Sequence, residues 1–216
     1  MKSQDIGLLL KLECLHKREK GVLPSIDSNW IDWEEEIIGG GGEEQYGFYH
    51  QSMDADDYII NQYSTRSLAL STGISKSQVN LALRRCFDVG LAKRDRHSDL
   101  PRVHTKALLE FIVYGLKYVF PAKLGAVTRG ITTSLAAPVL EGKLISTGDL
   151  LPVWPDAQGK TKGQTVEPLF KSVTYAVRRD AELYALLALV DAIRIGQPRE
   201  RNLATNLLAE RLGVSR

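Results

Sequence analysis

Cysteine is scarce in this chain. Only Cys14 and Cys86 occur in 216 residues, each inside a helical apolar pattern, and no secretory n-region or h-region precedes them. A disulfide framework is therefore not expected, and a reducing, cytoplasmic compartment is. Long apolar runs are missing too: residues 8–10 and 185–190 fall far short of the roughly 20 that a membrane span requires. A soluble protein without a membrane partner is expected. Histidine is sparse and scattered (His16, His50, His97, His104). Neither Cys14-Leu15-His16 nor any other pair has a second half-site at metal-ligand spacing. The glycines at 39–42 lack the following Lys-Ser/Thr of a phosphate loop and read as a spacer. No catalytic residue, metal or cofactor is expected, and the chain does not read as an enzyme.

What is present suffices for a core: 44% of the residues are hydrophobic and 25% charged, enough for one large domain or two small ones. The net charge of +2 conceals a segregation along the chain. Residues 24–63 hold ten acidic side chains (Asp27, Asp32, Glu34, Glu35, Glu36, Glu43, Glu44, Asp54, Asp56, Asp57) and no lysine or arginine. Residues 64–129 hold twelve basic side chains against four acidic ones, a balance that attracts a polyanion such as nucleic acid.

Hydrophobic period organises the rest. Residues 3–20 read as an amphipathic helix ended by Gly21 and Pro24. The acidic stretch reads as an insertion whose aromatics, among them Trp30, Trp33, Tyr46 and Phe48, pin it to a face remote from any polyanion; masking of the basic region is the alternative. A short helix near residues 65–71 is followed by a turn at Thr72-Gly73-Ile74 and a second helix over 75–89, where Ser75 and Gln78 fit a capping box. Gly90 stops that helix, and residues 91–96 and 102–104 form a basic hairpin. Residues 105–120 make an apolar helix closed by Pro121. Residues 125–168 read as loops with short strands, and helices return over 180–195 and 199–212, with Gly213 as a C-cap.

The run from Arg66 to Ala92, with Ala69 in the first helix, Gly73-Ile74 in the turn, Val79 and Leu83 in the second helix and a Gly90-Leu91 exit into a hairpin, resembles the helix-turn-helix of bacterial winged-helix regulators, including the MarR-type group. The match covers about residues 64–104. The resemblance implies a second helix that enters the major groove of DNA and a hairpin wing that touches the backbone or minor groove.

The helix period supports this independently: Val79, Ala82, Leu83, Cys86 and Phe87 fall on one face, Ser77, Asn80, Leu81, Arg84 and Arg85 on the other. Lys76, Ser77, Gln78, Asn80, Arg84 and Arg85 supply the short polar groups and donors a groove reader needs. Lys93, Arg94, Arg96, His97 and Arg102 are the candidate wing contacts. Leu81 on the polar face meets either a thymine methyl or a cover from the wing or the insertion. The plainer reading is a surface helix with solvated arginines.

The expected architecture is mainly α with a small β wing: a winged helix-turn-helix domain over residues 1–120, carrying the acidic insertion at 24–63, and a helical, loop-rich module over 121–216 for dimerisation or partner binding. The expected function is a sequence-specific regulator of transcription that binds double-stranded DNA as a homodimer. The second reading is an antitoxin-like protein that holds a co-encoded partner through its C-terminal module and autoregulates its operon.

Overall fold

Residues 5–15 are buried without interruption, although Asp5, Lys11 and Glu13 lie among them. They belong to helix α1 (Ser3–Glu19) of the computed structural model, which describes residues 1–22, 30–34, 55–143 and 150–214. The expected amphipathic surface helix is instead enclosed on all sides, because each polar residue that breaks its apolar stripe finds an opposite charge or packs under one. At its N-terminus the Asp5 carboxylate accepts the Lys2 backbone N–H at 2.8 Å, a first-turn anion satisfying an orphan donor.

Four helices come next: α2 (Ala55–Gln62), α3 (Thr65–Thr72), α4 (Lys76–Asp88) and α5 (Thr105–Glu110). Strands β1 (Ala92–Arg94) and β2 (Pro101–Val103) form an antiparallel hairpin between α4 and α5, with Lys93 opposite Arg102. After α5 the chain takes one wide π turn (Phe111–Gly115) and re-enters an α-helix, α6 (Leu116–Val119), where the apolar period predicts one unbroken helix. The extra residue of the π turn rotates the next turn of helix, and Val119, expected to be apolar core, is 53% exposed.

The glycine-rich third quarter is more regular than loops with short strands. Strand β3 (Leu124–Thr132) pairs antiparallel with both β4 (Pro152–Pro155) and β5 (Thr161–Val166), and β4 pairs parallel with β5, so the three strands close on themselves. Helices α7 (Val173–Val177), α8 (Ala181–Ile195) and α9 (Pro198–Arg211) complete the chain. Asp180 caps α8 by accepting the Leu183 N–H at 3.2 Å, and Gly213, at φ 64°, ends α9 as expected. The fold is mainly α with two small sheets.

Part of the acidic stretch is placed. Asp32 accepts the Thr132 N–H at 2.7 Å and the Thr161 hydroxyl at 2.8 Å, Trp33 bridges to Gly159, and the rings of Trp30 and Trp33 stand edge-on to Tyr184. Asp32 thus ties the segment to β3 and β5, and the two aromatics pin it to α8. Tyr46, Phe48, His50 and glycines 39–42 lie outside the described residues.

The boundary at residue 120 does not separate two cores. One hydrophobic cluster takes in Leu8 and Leu12 of α1, Val79 of α4, Ile112, Trp154 and Leu186 of α8. α8 packs on α1 directly, and charges seal the contact: Lys11 to Asp180 at 2.7 Å, Arg18 to Asp180 at 2.6 Å and Lys17 to Glu182 at 2.7 Å. α8 itself is buried all round from Glu182 to Arg194, where the sequence suggests one broad apolar face.

Candidate nucleic-acid interface

The turn between α3 and α4 is set by Gly73, in the left-handed region at φ 69°, where a Cβ would also stand 2.7 Å from that of Ser172. Both reasons demand glycine. The Ser172 hydroxyl donates to the Thr72 carbonyl at 2.8 Å and the Tyr175 hydroxyl to that of Leu70 at 2.8 Å, so α7 braces the turn. Ser64 caps α3 by accepting the Ser67 N–H at 3.1 Å. Ser75 occupies the N-cap of α4 in extended conformation but makes no side-chain cap. The expected capping box is absent: the Ser75 hydroxyl lies 3.3 Å from that of Ser77, and the Gln78 amide oxygen accepts from Gln4 at 3.1 Å and from Lys2 at 3.5 Å.

α4 buries Val79, Ala82 and Cys86, with Leu83 and Phe87 packed partly against the core. Its opposite face presents Lys76, Ser77, Asn80, Leu81 and Arg84 to solvent. Lys76 and Arg84 have no partner among the described residues, whereas the Asn80 amide oxygen accepts the Thr65 hydroxyl at 3.0 Å. Leu81 is 43% exposed.

Arg85 is not on this free face. Its guanidinium meets Asp5 in two parallel bonds, Nε to Oδ2 at 2.8 Å and Nη2 to Oδ1 at 2.7 Å, and Asp5 is fully buried. A carboxylate inside the core needs a paired cation, and the helix turns Arg85 towards α1 to supply it.

In the hairpin, Lys93, Arg94, Arg96 and His97 are exposed. The Arg94 guanidinium lies 5.4 Å from the centre of the Phe87 ring and pairs with Asp99 at 2.7 Å, both partners staying open to solvent. Asp95 shapes the tip: its carboxylate accepts the backbone N–H of His97 and of Ser98, each at 3.0 Å, and the Ser98 hydroxyl at 3.1 Å, which holds its pKa down to about 2. Arg102 departs from the expected wing contacts. It turns away from the exposed edge and clasps Glu19 of α1, Nη1 to Oε2 at 2.6 Å and Nη2 to Oε1 at 2.7 Å, with Tyr63 Oη at 3.0 Å and His16 Nδ1 at 2.8 Å from Nη1.

Between α4, the hairpin and the end of α2 lies an open groove of about 640 Å³, lined by Asn80, Leu83, Arg84 and Phe87 of α4, Arg94, Asp99, Leu100 and Pro101 of the hairpin, Ser64 and Thr65 at the start of α3, and Ile60, Asn61 and Tyr63, so the last residues of the acidic stretch border the groove instead of lying on a remote face. The structure thus brings Asn80, Arg84 and Arg94 to one concavity and leaves Lys76, Ser77, Lys93, Arg96 and His97 on exposed surface around α4 and the hairpin. Ser64 and Thr65 are site residues that sequence reasoning misses. The N-cap signal of Ser64 is legible there, but not that the start of α3 borders the groove. Among the described residues no group of three or more His, Cys, Asp or Glu side chains is arranged to hold a metal ion, and no helix is long and apolar enough to cross a membrane.

Comparison with known families, with curated proteins and with solved structures finds no match in any of the three.

Proposed function

We propose that the chain is a winged helix-turn-helix regulator of transcription that binds double-stranded DNA, with α4 as the recognition helix and the β1–β2 hairpin as the wing. The observation that carries this reading is the shared groove: α4 contributes Asn80 and Arg84, the hairpin contributes Arg94, and the start of α3 adds two hydroxyl residues. A curved strand of phosphates is complementary to a concavity with cations on two walls, while Lys76, Ser77, Asn80 and Arg84 suit base edges in a major groove. Among the described residues Asp99 is the one carboxylate on that lining, and Arg94 already engages it. One such module offers a small interface, so a homodimer on a palindromic operator is part of the proposal, as is a cytoplasmic location.

Selection from random duplex DNA at near-physiological salt tests it. An enriched motif is expected, and Arg84→Ala should weaken binding to it by about 1–3 kcal/mol if Arg84 reads a base, or weaken all sequences alike if it holds phosphate. No enriched sequence, together with unchanged binding by the Lys76→Ala/Arg84→Ala double variant, would defeat the proposal.

A second reading, an antitoxin-like interaction protein that holds a co-encoded partner, is favoured by the exposed apolar residues Tyr114, Tyr118, Val119, Leu124 and Val127, a patch that runs from the π turn into β3 at the start of the C-terminal module. Tyr114 and Tyr118 are 73% and 74% exposed, as is common in protein-binding faces.

A further inference from the structure

α1 touches both elements of the proposed DNA interface, and it holds each by the same device. Near its N-terminus Asp5 receives the Arg85 guanidinium of α4 in two bonds of 2.8 and 2.7 Å. At its C-terminus Glu19 receives the Arg102 guanidinium of β2 in two bonds of 2.6 and 2.7 Å. A planar fork on a carboxylate fixes direction as well as distance. The two carboxylates are separated by a straight helical rod of about 21 Å at 1.5 Å per residue. Gln4 adds a bond to Gln78 at the first end, and Tyr63, which itself donates to Glu19 at 3.0 Å, packs its ring 5.4 Å from the Arg102 guanidinium at the second.

We infer that α1 is the spacer that sets the hairpin relative to α4, and that Arg102 and Glu19 are positioning residues for DNA binding rather than DNA contacts. The inference rests on the DNA-binding reading for its consequence, but not for its geometry. Lys93 stands directly opposite Arg102 in the hairpin, so the two share a face of it; Lys93 stays exposed, while the Arg102 guanidinium is drawn back onto Glu19 of α1. A duplex spans the recognition helix and the wing together, so a few ångströms of drift in the hairpin would detach one set of phosphates while the other stays bound. The Glu19 end is the informative one to perturb, because the Asp5 carboxylate is fully buried and losing Arg85 would strand it in the core, whereas both members of the Glu19–Arg102 pair are partly open to solvent.

The test is a charge-reversal cycle at Glu19 and Arg102 on the full chain, with the selected operator duplex as probe. Arg102→Glu alone should lower operator affinity about tenfold or more. The reversed pair Glu19→Arg/Arg102→Glu should recover it to within about threefold, although position 102 then carries a negative charge that no phosphate contact would accept. Arg102→Ala should lower affinity without changing the slope of log affinity against log salt, whereas loss of a phosphate contact lowers that slope by about one. A reversed pair no better than Arg102→Glu alone, or a slope reduced by one in Arg102→Ala, overturns the inference. Spin labels at Ser77 and Lys93 in the DNA-free protein provide a readout that does not involve DNA: the distance distribution should broaden in Arg102→Ala and narrow again in the reversed pair. If the wild type selects no DNA while Arg102→Ala still broadens the distribution, the proposed function is defeated and the spacer stands; an unchanged distribution in Arg102→Ala defeats the spacer alone.

Discussion

The indole of Trp154 donates to the carboxylate of Asp191 at 2.6 Å, in a place where neither side chain is more than 1% exposed. The same carboxylate takes the Thr133 hydroxyl at 3.1 Å and the Arg194 guanidinium at 2.6 Å, so the end of β3, β4 and α8 meet on one carboxylate. Burial pushes the Asp191 pKa up and its three donors pull it down. Asp191→Asn leaves Arg194 without its countercharge in the core, and we expect a loss of about 3–5 kcal/mol in urea unfolding. Trp154→Phe keeps the packing and drops one donor, at about 1–3 kcal/mol. Equal losses in the two variants would show that the ion pair adds nothing beyond the indole bond.

Gly7 lies mid-way along the first half of α1, where alanine would ordinarily stabilise a helix by about 1 kcal/mol. Here a Cβ would run into the Phe170 ring, which is itself 5% exposed and enclosed by the core. Gly7→Ala should therefore destabilise, by about 1–3 kcal/mol as an overpacked core does. A raised melting temperature would mean that the ring can retreat.

Glu13 of α1 is buried, and burial raises its pKa from 4.5 to about 7 against the pull of Lys17, Lys20 and Arg102. The folded state thus holds a proton that the unfolded chain releases from pH 4.5 upward. Its share of stability should fall as pH rises between about 4.5 and 7 and stay flat beyond, a loss of at most about 3 kcal/mol. Glu13→Gln should remove that slope and be the more stable protein at pH 8; identical pH profiles for the two would refute it.

The salt dependence of DNA binding separates the exposed hairpin cations from the clasped one. Neutralising Lys93, Arg94 and Arg96 together should reduce the salt slope by up to about three, one for each phosphate released. A slope equal to that of the wild type would mean that the hairpin faces away from the duplex.

Local order is legible where local chemistry decides it. Gly73 and Gly90, with φ of 69° and 75°, announce the turn and the helix stop, and the period of α4 places Val79, Ala82 and Cys86 inward. Pairing at a distance is hidden. Asp5 and Lys11 look like the wet side of an amphipathic helix until Arg85 and Asp180 are brought to them. Arg85 and Arg102 look like DNA contacts for the same reason: their carboxylates lie 80 and 83 residues away in sequence. An acidic residue inside the apolar stripe of α1 is the available signal that some remote cation would be consumed. The shared core is illegible too, since nothing in the spacing of α8 says which helix it lies against. The π turn leaves no mark on a short window either, because a single added residue looks like ordinary drift of the apolar stripe.

The Lys11–Asp180 contact joins positions 169 residues apart, and this sets a schedule for synthesis. At 5–20 residues per second, α1 is made roughly 10–30 s before the carboxylate that neutralises Lys11 and the helix that covers Leu8 and Leu12. α1 is thus made well before the helix that encloses it. Until α8 arrives, the nascent chain carries a leucine-rich rod uncovered on the side that α8 will occupy, the kind of surface that holdase chaperones recognise, and until residues 173–177 are made the turn between α3 and α4 lacks its α7 brace. On the proposed reading, DNA binding would then begin only after α7 and α8 have been made.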